Sequence, residues 1–347
     1  MVTKNIHMKK IIFITYLVFV HLLGIRAQDK HTIRPLTPQE VSQRLLPKYA
    51  PLALMPLTQL DYENIKSVRE KEKQSTIPLL TNADSVEITY RNVPGLKAGD
   101  PDIPVRIYKP KYITTAPIFL WFHGGGFVYG NLNGDHKHCA NMAIRGKVVV
   151  ISVDYRLAPE HPYPAAVHDA YAVFLWSIKN AKNFQGDTTR IGLGGGSAGA
   201  GVAGSMTLLN RERKGPKIAL QALFFPPADI DTNHVSVREL WQIPGVKGAD
   251  IPYLLKLYIG KDYASNIPKN VLPGMTDNFS QLPPTYIATC GVDPLRDGGL
   301  DLGVKLIKAG IPVELHNFPG YPHGLLPDRV FPELYSFMYE YFYKPIK

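Results

Sequence analysis

Apolar runs that alternate with helical stretches are the feature of this sequence that most constrains its fold. Ile118–Phe122 and Val148–Val153 are apolar runs of strand length, typical of strands that are buried on both faces of a parallel sheet. A helical pattern follows over Ala165–Ile178, and strand and helix patterns keep alternating to the end of the chain. Because parallel strands are joined by crossovers that are usually helices, this alternation predicts a doubly wound α/β sheet covered by helices.

The same kind of pattern predicts the other elements. Short alternating runs at Val86–Tyr90 and Val105–Tyr108 indicate antiparallel strands ahead of the parallel ones. Thr37 and Pro38 are typical of a helix start, as N-cap and first helical residue, and a second helix is expected near Tyr62–Lys73. The later strands are predicted at Arg190–Gly194, Ala219–Phe225, Tyr286–Cys290 and Val313–Phe318, and the later helices at Ala198–Arg213, Gly299–Ala309 and Pro332–Tyr343.

Residues 229–275 interrupt the alternation between two predicted strands. A connection of that length without elements of its own is uncommon in a compact domain, so an inserted lid or cap is expected. The chain has 347 residues, which is enough for one large α/β domain, and residues 28–347 are assigned to it.

A glycine-rich turn at 192–201 lies between a predicted strand and a predicted helix. It fits the dinucleotide-binding pattern G-x-G-x-x-G over 194–199 and the nucleophile-elbow pattern G-x-S-x-G over 195–199, which is centred on Ser197. A dinucleotide site usually has an acidic residue about 20 positions further on. Here the nearest acid after the next strand is Asp229, 30 positions beyond the motif. The elbow is therefore favoured over a dehydrogenase.

A reactive serine needs a base, because a neutral imidazole takes the serine proton as the oxygen attacks a carbonyl. Three histidines follow Ser197 in the chain. His234 lies in the 229–275 insertion, and His316 lies inside the last predicted strand. His323 follows that strand in a loop rich in turn-forming residues, at the kind of position where α/β proteins carry their sites. We therefore expect His323 to be the base.

The base in turn needs a carboxylate that fixes its tautomer and orientation. In α/β-hydrolases the chain order is Ser, Asp or Glu, then His. Asp293 follows the predicted strand Tyr286–Cys290 and is the favoured acid. Asp297 is the alternative, although a carboxylate at the start of the next helix is also expected simply because it interacts favourably with the helix dipole.

A second glycine-rich segment, His123-Gly124-Gly125-Gly126-Phe127, follows the predicted strand Ile118–Phe122. Consecutive glycines let backbone N–H groups approach a ligand without obstruction by side chains. Together with the N–H of Ala198, such a loop would supply donors to the oxyanion of a tetrahedral intermediate. An ordinary glycine turn is the alternative interpretation.

Four blocks, in this order and spacing, resemble those of the hormone-sensitive lipase family of α/β-hydrolase esterases and lipases. The resemblance covers about residues 37–343. The blocks are HGGGF at 123–127, DYRLAPE at 154–160, GGSAG at 195–199, and DPLRD at 293–297 with His323 and Gly324.

The resemblance implies an α/β-hydrolase fold with a helical cap built from about 37–75 and 229–275. It implies a serine carboxylesterase that hydrolyses short- to medium-chain carboxylic esters through an acyl-enzyme intermediate, without a cofactor or a metal. The DYRLAPE block is implied to be scaffolding. The residues implied to act are Ser197 as nucleophile, His323 as base, Asp293 as its orienter, and Gly125, Gly126 and Ala198 as oxyanion donors.

Three positions depart from the family's usual pattern. Gly196 stands where the family usually has Asp, Ala200 where it usually has Gly, and Gly298 where it often has Glu. The missing carboxylate at position 196 should alter hydrogen bonding beside the oxyanion loop, and a third glycine should loosen the elbow. None of these changes removes a member of the expected triad.

Two other functions use the same fold. A deacetylase or formamidase acting on carbohydrates or small molecules would differ only in its pocket, which the sequence does not resolve. A non-catalytic ligand-binding relative would keep the fold but tends to lose a triad residue, whereas this chain has Ser197, Asp293 and His323.

The N-terminus has the composition of a secretory signal peptide. Lys9 and Lys10 precede the mostly apolar run Ile11–Ile25, and Ala27 offers a small residue for cleavage. The run is shorter than the about 20 residues that span a bilayer, so residues 1–27 are predicted to be a cleaved signal. Export to the periplasm or the medium is expected, with a membrane anchor from an uncleaved signal as the alternative.

Charge and cysteine content set limits on partners. The net charge is +10, but four of the cations belong to residues 1–27, which hold no acid. A solvated surface is therefore expected rather than nucleic-acid binding.

Cys139 and Cys290 show no metal-ligand spacing and are predicted to be buried, unpaired thiols. The expected partner is a small-molecule ester. We expect no integral membrane span after signal cleavage, and a homodimer is compatible with the sequence.

Overall fold

The computed structural model describes residues 33–57 and 64–344, so the predicted signal peptide at 1–27 lies outside the described residues. Within those ranges, no helix has both the length and the apolar character needed to cross a membrane.

The strands are β1 (Val86–Val93), β2 (Ile103–Pro110), β3 (Ala116–Phe122), β4 (Val149–Val153), β5 (Gly186–Gly196), β6 (Leu220–Phe224), β7 (Thr285–Val292) and β8 (Val313–Pro322). The α-helices are α1 (Pro38–Arg44), α2 (Ile65–Lys73), α3 (His136–Gly146), α4 (Ala165–Asn180), α5 (Ala198–Glu212), α6 (Val235–Glu239), α7 (Ile251–Ile259), α8 (Arg296–Lys308) and α9 (Val330–Tyr343).

The described residues contain one eight-stranded sheet with the order β1-β2-β4-β3-β5-β6-β7-β8. β1 and β2 are antiparallel to each other, and β2 is antiparallel to β4. All neighbours from β4 onward are parallel. Every residue of β3 is buried, as expected for a central strand with helices on both faces. The predicted antiparallel start and the mostly parallel doubly wound sheet are therefore confirmed.

Several elements differ from the sequence-based expectation: β1 and β5 are longer than predicted, the insertion contains α6 and α7, and the largest differences are at α3 and β8. The helix α3 was missed, because His, Lys and Asn residues dilute the spacing of Cys139, Met142 and Ala143, which form its buried face. β8 continues to Pro322, where a loop was expected from its Pro and Gly residues. β8 is the last strand in the sheet order, and an edge strand tolerates prolines because one side of it needs no ladder hydrogen bonds.

Helix α1 packs on the 229–275 insertion. Thr37 caps α1 as predicted: its hydroxyl accepts from the backbone N–H of Glu40, whose carboxylate accepts from the N–H of Thr37. Val41 of α1 and Leu45, which directly follows α1, belong to the same buried cluster as Leu240 and Ile243 of the insertion. These apolar contacts connect two segments that are distant in sequence.

The DYRLAPE block anchors the end of β4. Arg156 donates to both carboxylate oxygens of Asp169 on α4, with the closest contact at 2.7 Å, and to Asp100 at 3.2 Å. Asp169 is fully buried. The neighbouring Tyr155 donates through its hydroxyl to the carbonyl oxygen of His123 at 2.7 Å. The block therefore supports the glycine segment that follows β3.

Both cysteines are buried and free, as predicted. The thiol of Cys290 donates to the carbonyl oxygen of Leu325 at 3.2 Å. Burial raises the pKa of both thiols, which keeps them in the neutral form that is unreactive.

We predict that Asp169→Asn lowers the free energy of unfolding by about 3 kcal/mol, because it leaves the Arg156 guanidinium without its buried charged partner. Urea unfolding of the purified variant measures the change. Glu70→Gln is the control, since it removes an ion pair whose side chains are 63% and 68% exposed and should cost less than about 0.5 kcal/mol. Equal, small losses for the two variants would contradict the assigned role of Asp169.

Candidate active site

Ser197 lies at a sharp turn between β5, which ends at Gly196, and α5, which begins at Ala198. Its φ of 53° and ψ of −125° are unfavourable for a residue with a side chain, and such strain costs about 1–3 kcal/mol. A nucleophile elbow uses this conformation to expose the serine oxygen at the top of the sheet.

The first and last glycines of G-x-S-x-G are required by close packing. A Cβ at Gly195 would lie 2.5 Å from the carbonyl oxygen of Phe122, and one at Gly199 only 2.0 Å from that oxygen. Any side chain at either position would therefore push the elbow away from the end of β3.

His323 lies directly after β8 and connects the two other expected triad members. Its Nδ1 is 2.8 Å from Oδ2 of Asp293, and its Nε2 is 2.9 Å from Oγ of Ser197. Asp293 is fully buried, and its Oδ1 accepts from the backbone N–H of Leu295 at 2.8 Å. Because the carboxylate accepts the Nδ1 proton, Nε2 is left as the acceptor for the serine hydroxyl.

Asp297, the alternative acid, has other partners. It accepts from the backbone N–H of Ser236 and from Nε of Arg296, each at 2.7 Å. Burial alone would raise the pKa of Asp297, but these hydrogen bonds lower it. Asp297 therefore ties the 229–275 insertion to α8 and is not the residue bonded to His323.

The two other histidines after Ser197 also have other partners. His234 lies 3.0 Å from Asp229 in the insertion, and His316 lies on β8, stacked on Phe318. Although burial opposes it, the bond to Asp229 raises the pKa of His234. A Cβ at Gly298 would come within 3.5 Å of both members of this pair. The pair thus occupies the space into which a longer side chain at 298 would extend.

The glycine segment after β3 lies against the elbow. A Cβ at Gly124 would be 3.2 Å from the carbonyl oxygen of Gly196, and one at Gly125 would be 2.2 Å from that of Tyr129. Gly125 and Gly126 adopt φ values of 122° and 61°, which glycine alone adopts readily. The structure therefore brings the segment 123–127 to the side of Ser197.

Helix α2 holds the residues that directly follow this segment, a role that the sequence did not reveal. Arg69 donates through Nε to the carbonyl oxygen of Val128 at 2.7 Å and also bonds the carbonyl of Ala158. The carboxylate of Glu72 accepts from the backbone N–H of Gly130 at 3.1 Å. No sequence signal identifies these contacts, because each joins residues far apart in the chain.

A cavity of about 630 Å³ opens over Ser197. Its size is typical of small-molecule sites. The 229–275 insertion contributes apolar side chains to its wall, among them Ile251, Leu254 and Leu255 of α7. The lining also includes Trp121, Asp135 and His138, for which the sequence carries no functional signal.

Comparison with known proteins identifies the family. The family model described as "alpha/beta hydrolase fold" matches residues 119–327, and this match includes all four blocks. The chain belongs to the α/β-hydrolase fold family.

Individual relatives agree with this assignment. The chain is 40% identical over 225 residues to the esterase LipI of Mycobacterium tuberculosis, covering 64% of this chain and 70% of LipI. It is 38% identical over 227 residues to carboxylesterase NlhH of the same species, covering 64% and 71%. The crystal structure of esterase LipW from Mycobacterium marinum superposes with a TM-score of 0.77 at 34% identity, covering 90% and 99%. The predicted family, fold and enzyme class, a carboxylic ester hydrolase, are confirmed.

We predict that Asp293→Asn lowers kcat/KM for p-nitrophenyl acetate by about 10,000-fold, because an amide at this position favours the wrong tautomer of His323. The matched variant Asp297→Asn should lower the melting temperature but change kcat/KM by less than about tenfold. Steady-state kinetics and thermal unfolding on both proteins provide the measurement. A larger kinetic loss in Asp297→Asn would reverse the assignment of the acid.

Proposed function

We propose that the protein is a serine carboxylesterase that hydrolyses short- to medium-chain carboxylic esters through an acyl-enzyme intermediate. The observation that carries the proposal is the hydrogen-bonded chain from Asp293 through His323 to Ser197, with contacts of 2.8 and 2.9 Å. A nucleophile, a base and an orienting acid in this arrangement are the elements of acyl transfer.

In the first half of the proposed reaction, Oγ of Ser197 attacks the ester carbonyl while Nε2 of His323 takes its proton. The carbonyl oxygen becomes an oxyanion that accepts hydrogen bonds from the N–H groups of Gly125, Gly126 and Ala198. The tetrahedral intermediate collapses, the bond to the alcohol breaks, and His323 gives its proton to the leaving oxygen.

In the second half, a water molecule attacks the acyl-enzyme carbonyl and loses its proton to the same histidine. Collapse of the second intermediate breaks the bond to Oγ, which regains a proton from His323 as the carboxylic acid leaves. Asp293 keeps its negative charge throughout and stabilises the imidazolium that forms twice in each cycle.

The size of the cavity supports a small ester as the substrate. Its volume of about 630 Å³ is that of a site for a compact ligand, and the 229–275 insertion contributes to its wall. We assign this insertion, together with the segment 37–75, whose helix α1 packs on it, as the cap over the substrate.

We expect Ser197→Ala to lower kcat/KM for p-nitrophenyl acetate by at least about 10,000-fold, since it removes the nucleophile. The wild-type enzyme should react with a fluorophosphonate probe, and Ser197→Ala should not. Across p-nitrophenyl esters from acetate to palmitate, kcat/KM should decline at the long chains.

Three outcomes would count against the proposal. Equal hydrolysis by the wild type and Ser197→Ala would rule out the serine mechanism. Failure of the folded wild-type protein to label or to hydrolyse any ester would favour a ligand-binding protein. A preference for long chains would indicate a true lipase.

We also propose that residues 1–27 direct export and are then removed. Expressed in full in a Gram-negative host, the protein should appear in the periplasm or the medium, and mass spectrometry should place its N-terminus at Gln28. A variant chain that begins at Gln28 should stay in the cytoplasm. An intact N-terminus in the membrane fraction would indicate an uncleaved anchor instead, and cytoplasmic full-length protein would contradict export.

A further inference from the structure

The cavity over Ser197 has one side whose walls are largely aromatic. We call this side the aromatic arm and define it by Trp121, Asp135, His138, Phe225 and Phe331, all of which line the cavity. The ring of His138 lies 4.4 Å from that of Trp121 and 4.9 Å from that of Phe331. Phe225 packs edge-on at 4.9 Å against the ring of His323. The arm therefore begins beside the proposed base.

Two polar side chains stand among these rings. Oδ2 of Asp135 accepts from Nε1 of Trp121 at 2.7 Å, which fixes the carboxylate in place. Asp135 and His138 are three residues apart at the start of α3, so they are neighbours on one face of that helix. Both of them line the cavity, which places a carboxylate and an imidazole side by side at the edge of the space that a substrate can occupy.

His138 has an unmet hydrogen-bonding requirement. Among the residues that the structure describes, its buried Nε2 has no hydrogen-bond partner, whereas buried polar atoms nearly always have one. Burial lowers the pKa of His138, although the nearby Asp135 opposes this. The neutral imidazole has one nitrogen that donates and one that accepts, so a ligand group that does either can satisfy it.

Gly196 keeps this part of the cavity open. In the sheet, Trp121 is opposite Gly194 and Gly196 is opposite Phe224, so positions 194 and 196 share the face that carries Trp121. A Cβ at Gly196 would lie 3.2 Å from the ring of Phe225. A larger side chain there would project toward the arm, and Gly196 is the position at which the sequence departs from the family's usual Asp.

We propose that the aromatic arm binds a hydroxyaryl group of the ester substrate, with Asp135 and His138 as the residues that select it. The proposal rests on the proposed esterase function and names its substrate class. The flat walls suit an aromatic ring, which prefers stacked or edge-on contacts with other rings. A phenolic hydroxyl can donate to Oδ1 of Asp135 and accept from the N–H of His138.

Other groups fit the arm less well. An alkyl chain would leave His138 without a partner, and a buried polar group that loses its hydrogen bonds discriminates strongly against an apolar ligand. A carboxylate would be repelled by Asp135. An uncharged group that both donates and accepts, carried on a flat ring, satisfies all of these constraints.

The test compares matched esters that differ only in the hydroxyl. The first pair, methyl 3-(4-hydroxyphenyl)propanoate and methyl 3-phenylpropanoate, carries the ring on the acyl side. The second pair, 2-(4-hydroxyphenyl)ethyl acetate and 2-phenylethyl acetate, carries it on the alcohol side. We expect the wild type to prefer the hydroxylated ester in at least one pair by at least about 10-fold in kcat/KM, which is the contribution of one hydrogen bond to a charged carboxylate.

The variants assign that preference to the arm. His138→Phe keeps a ring but removes both hydrogen-bonding atoms, so the ratio should fall to about 1, whereas His138→Gln should retain part of the preference. His316→Phe is the matched control, because His316 lies on β8 outside the cavity, and it should leave the ratio unchanged.

Gly196→Asp should lower kcat/KM for the preferred hydroxyaryl ester relative to methyl acetate by at least about tenfold, since it narrows the arm and adds a charge.

A binding measurement separates this proposal from the serine mechanism. Titration of Ser197→Ala with both pairs by calorimetry should show tighter binding of the preferred hydroxylated ester, whether or not Ser197 is the nucleophile. A wild-type ratio near 1 in both pairs, or a preference that His138→Phe leaves intact, would overturn the arm proposal. If His138→Phe does not fold, equal affinity of Ser197→Ala for the hydroxylated and unsubstituted esters of both pairs would overturn it as well.

Discussion

The contact on which the rest of this active site depends is the approach of two glycines to the backbone at the end of β3. A Cβ at Gly199 would lie 2.0 Å from the carbonyl oxygen of Phe122, and one at Gly195 would lie 2.5 Å from it. This packing forces the chain to turn between β5 and α5, and Ser197 takes the strained position at the top of the turn. The same packing sets the elbow against the segment 123–127, so the nucleophile and the candidate oxyanion donors are positioned by one interaction.

The remaining groups of the site reach Ser197 from the ends of other strands. Asp293 follows β7 and His323 follows β8, and because parallel strands end at the same edge of a sheet, both residues arrive beside the elbow. The cavity walls then come from segments far away in the chain. The insertion 229–275 supplies apolar residues, and helix α2 holds the segment after β3 through Arg69 and Glu72. The strand ends of the sheet thus place the candidate catalytic residues, and the surrounding segments form the walls of the cavity through which a substrate would reach them.

The parts of the structure that sequence could predict are those with a local signal. Apolar runs located the strands, and the glycine- and proline-rich segments that follow them located Ser197, His323 and Asp293 near strand ends. Helix α3 was missed because its polar residues diluted the helical spacing, and with it the positions of Asp135 and His138. Their place in the site arises only when α3 packs across β2 and β4 and its first turn meets the side chain of Trp121 on β3, which is a tertiary relation without a local pattern. The strand β8 was predicted too short because Pro and Gly signal a turn unless the strand is known to be at an edge.

Gly196 shows how a departure from a family pattern can redirect a site rather than weaken it. It lies on β5 opposite Phe224 and has no positive φ to maintain, so backbone geometry does not require glycine there. A side chain at this position would come up against the ring of Phe225, on the face of the sheet that also carries Trp121. The absence of a side chain therefore leaves the space beside the ring of Phe225, one wall of the aromatic arm, open to the cavity. A carboxylate at position 196 would occupy that space and add a charge to it, whereas glycine leaves the space to a ring of the substrate, with Asp135 and His138 elsewhere on the same arm to bind its hydroxyl.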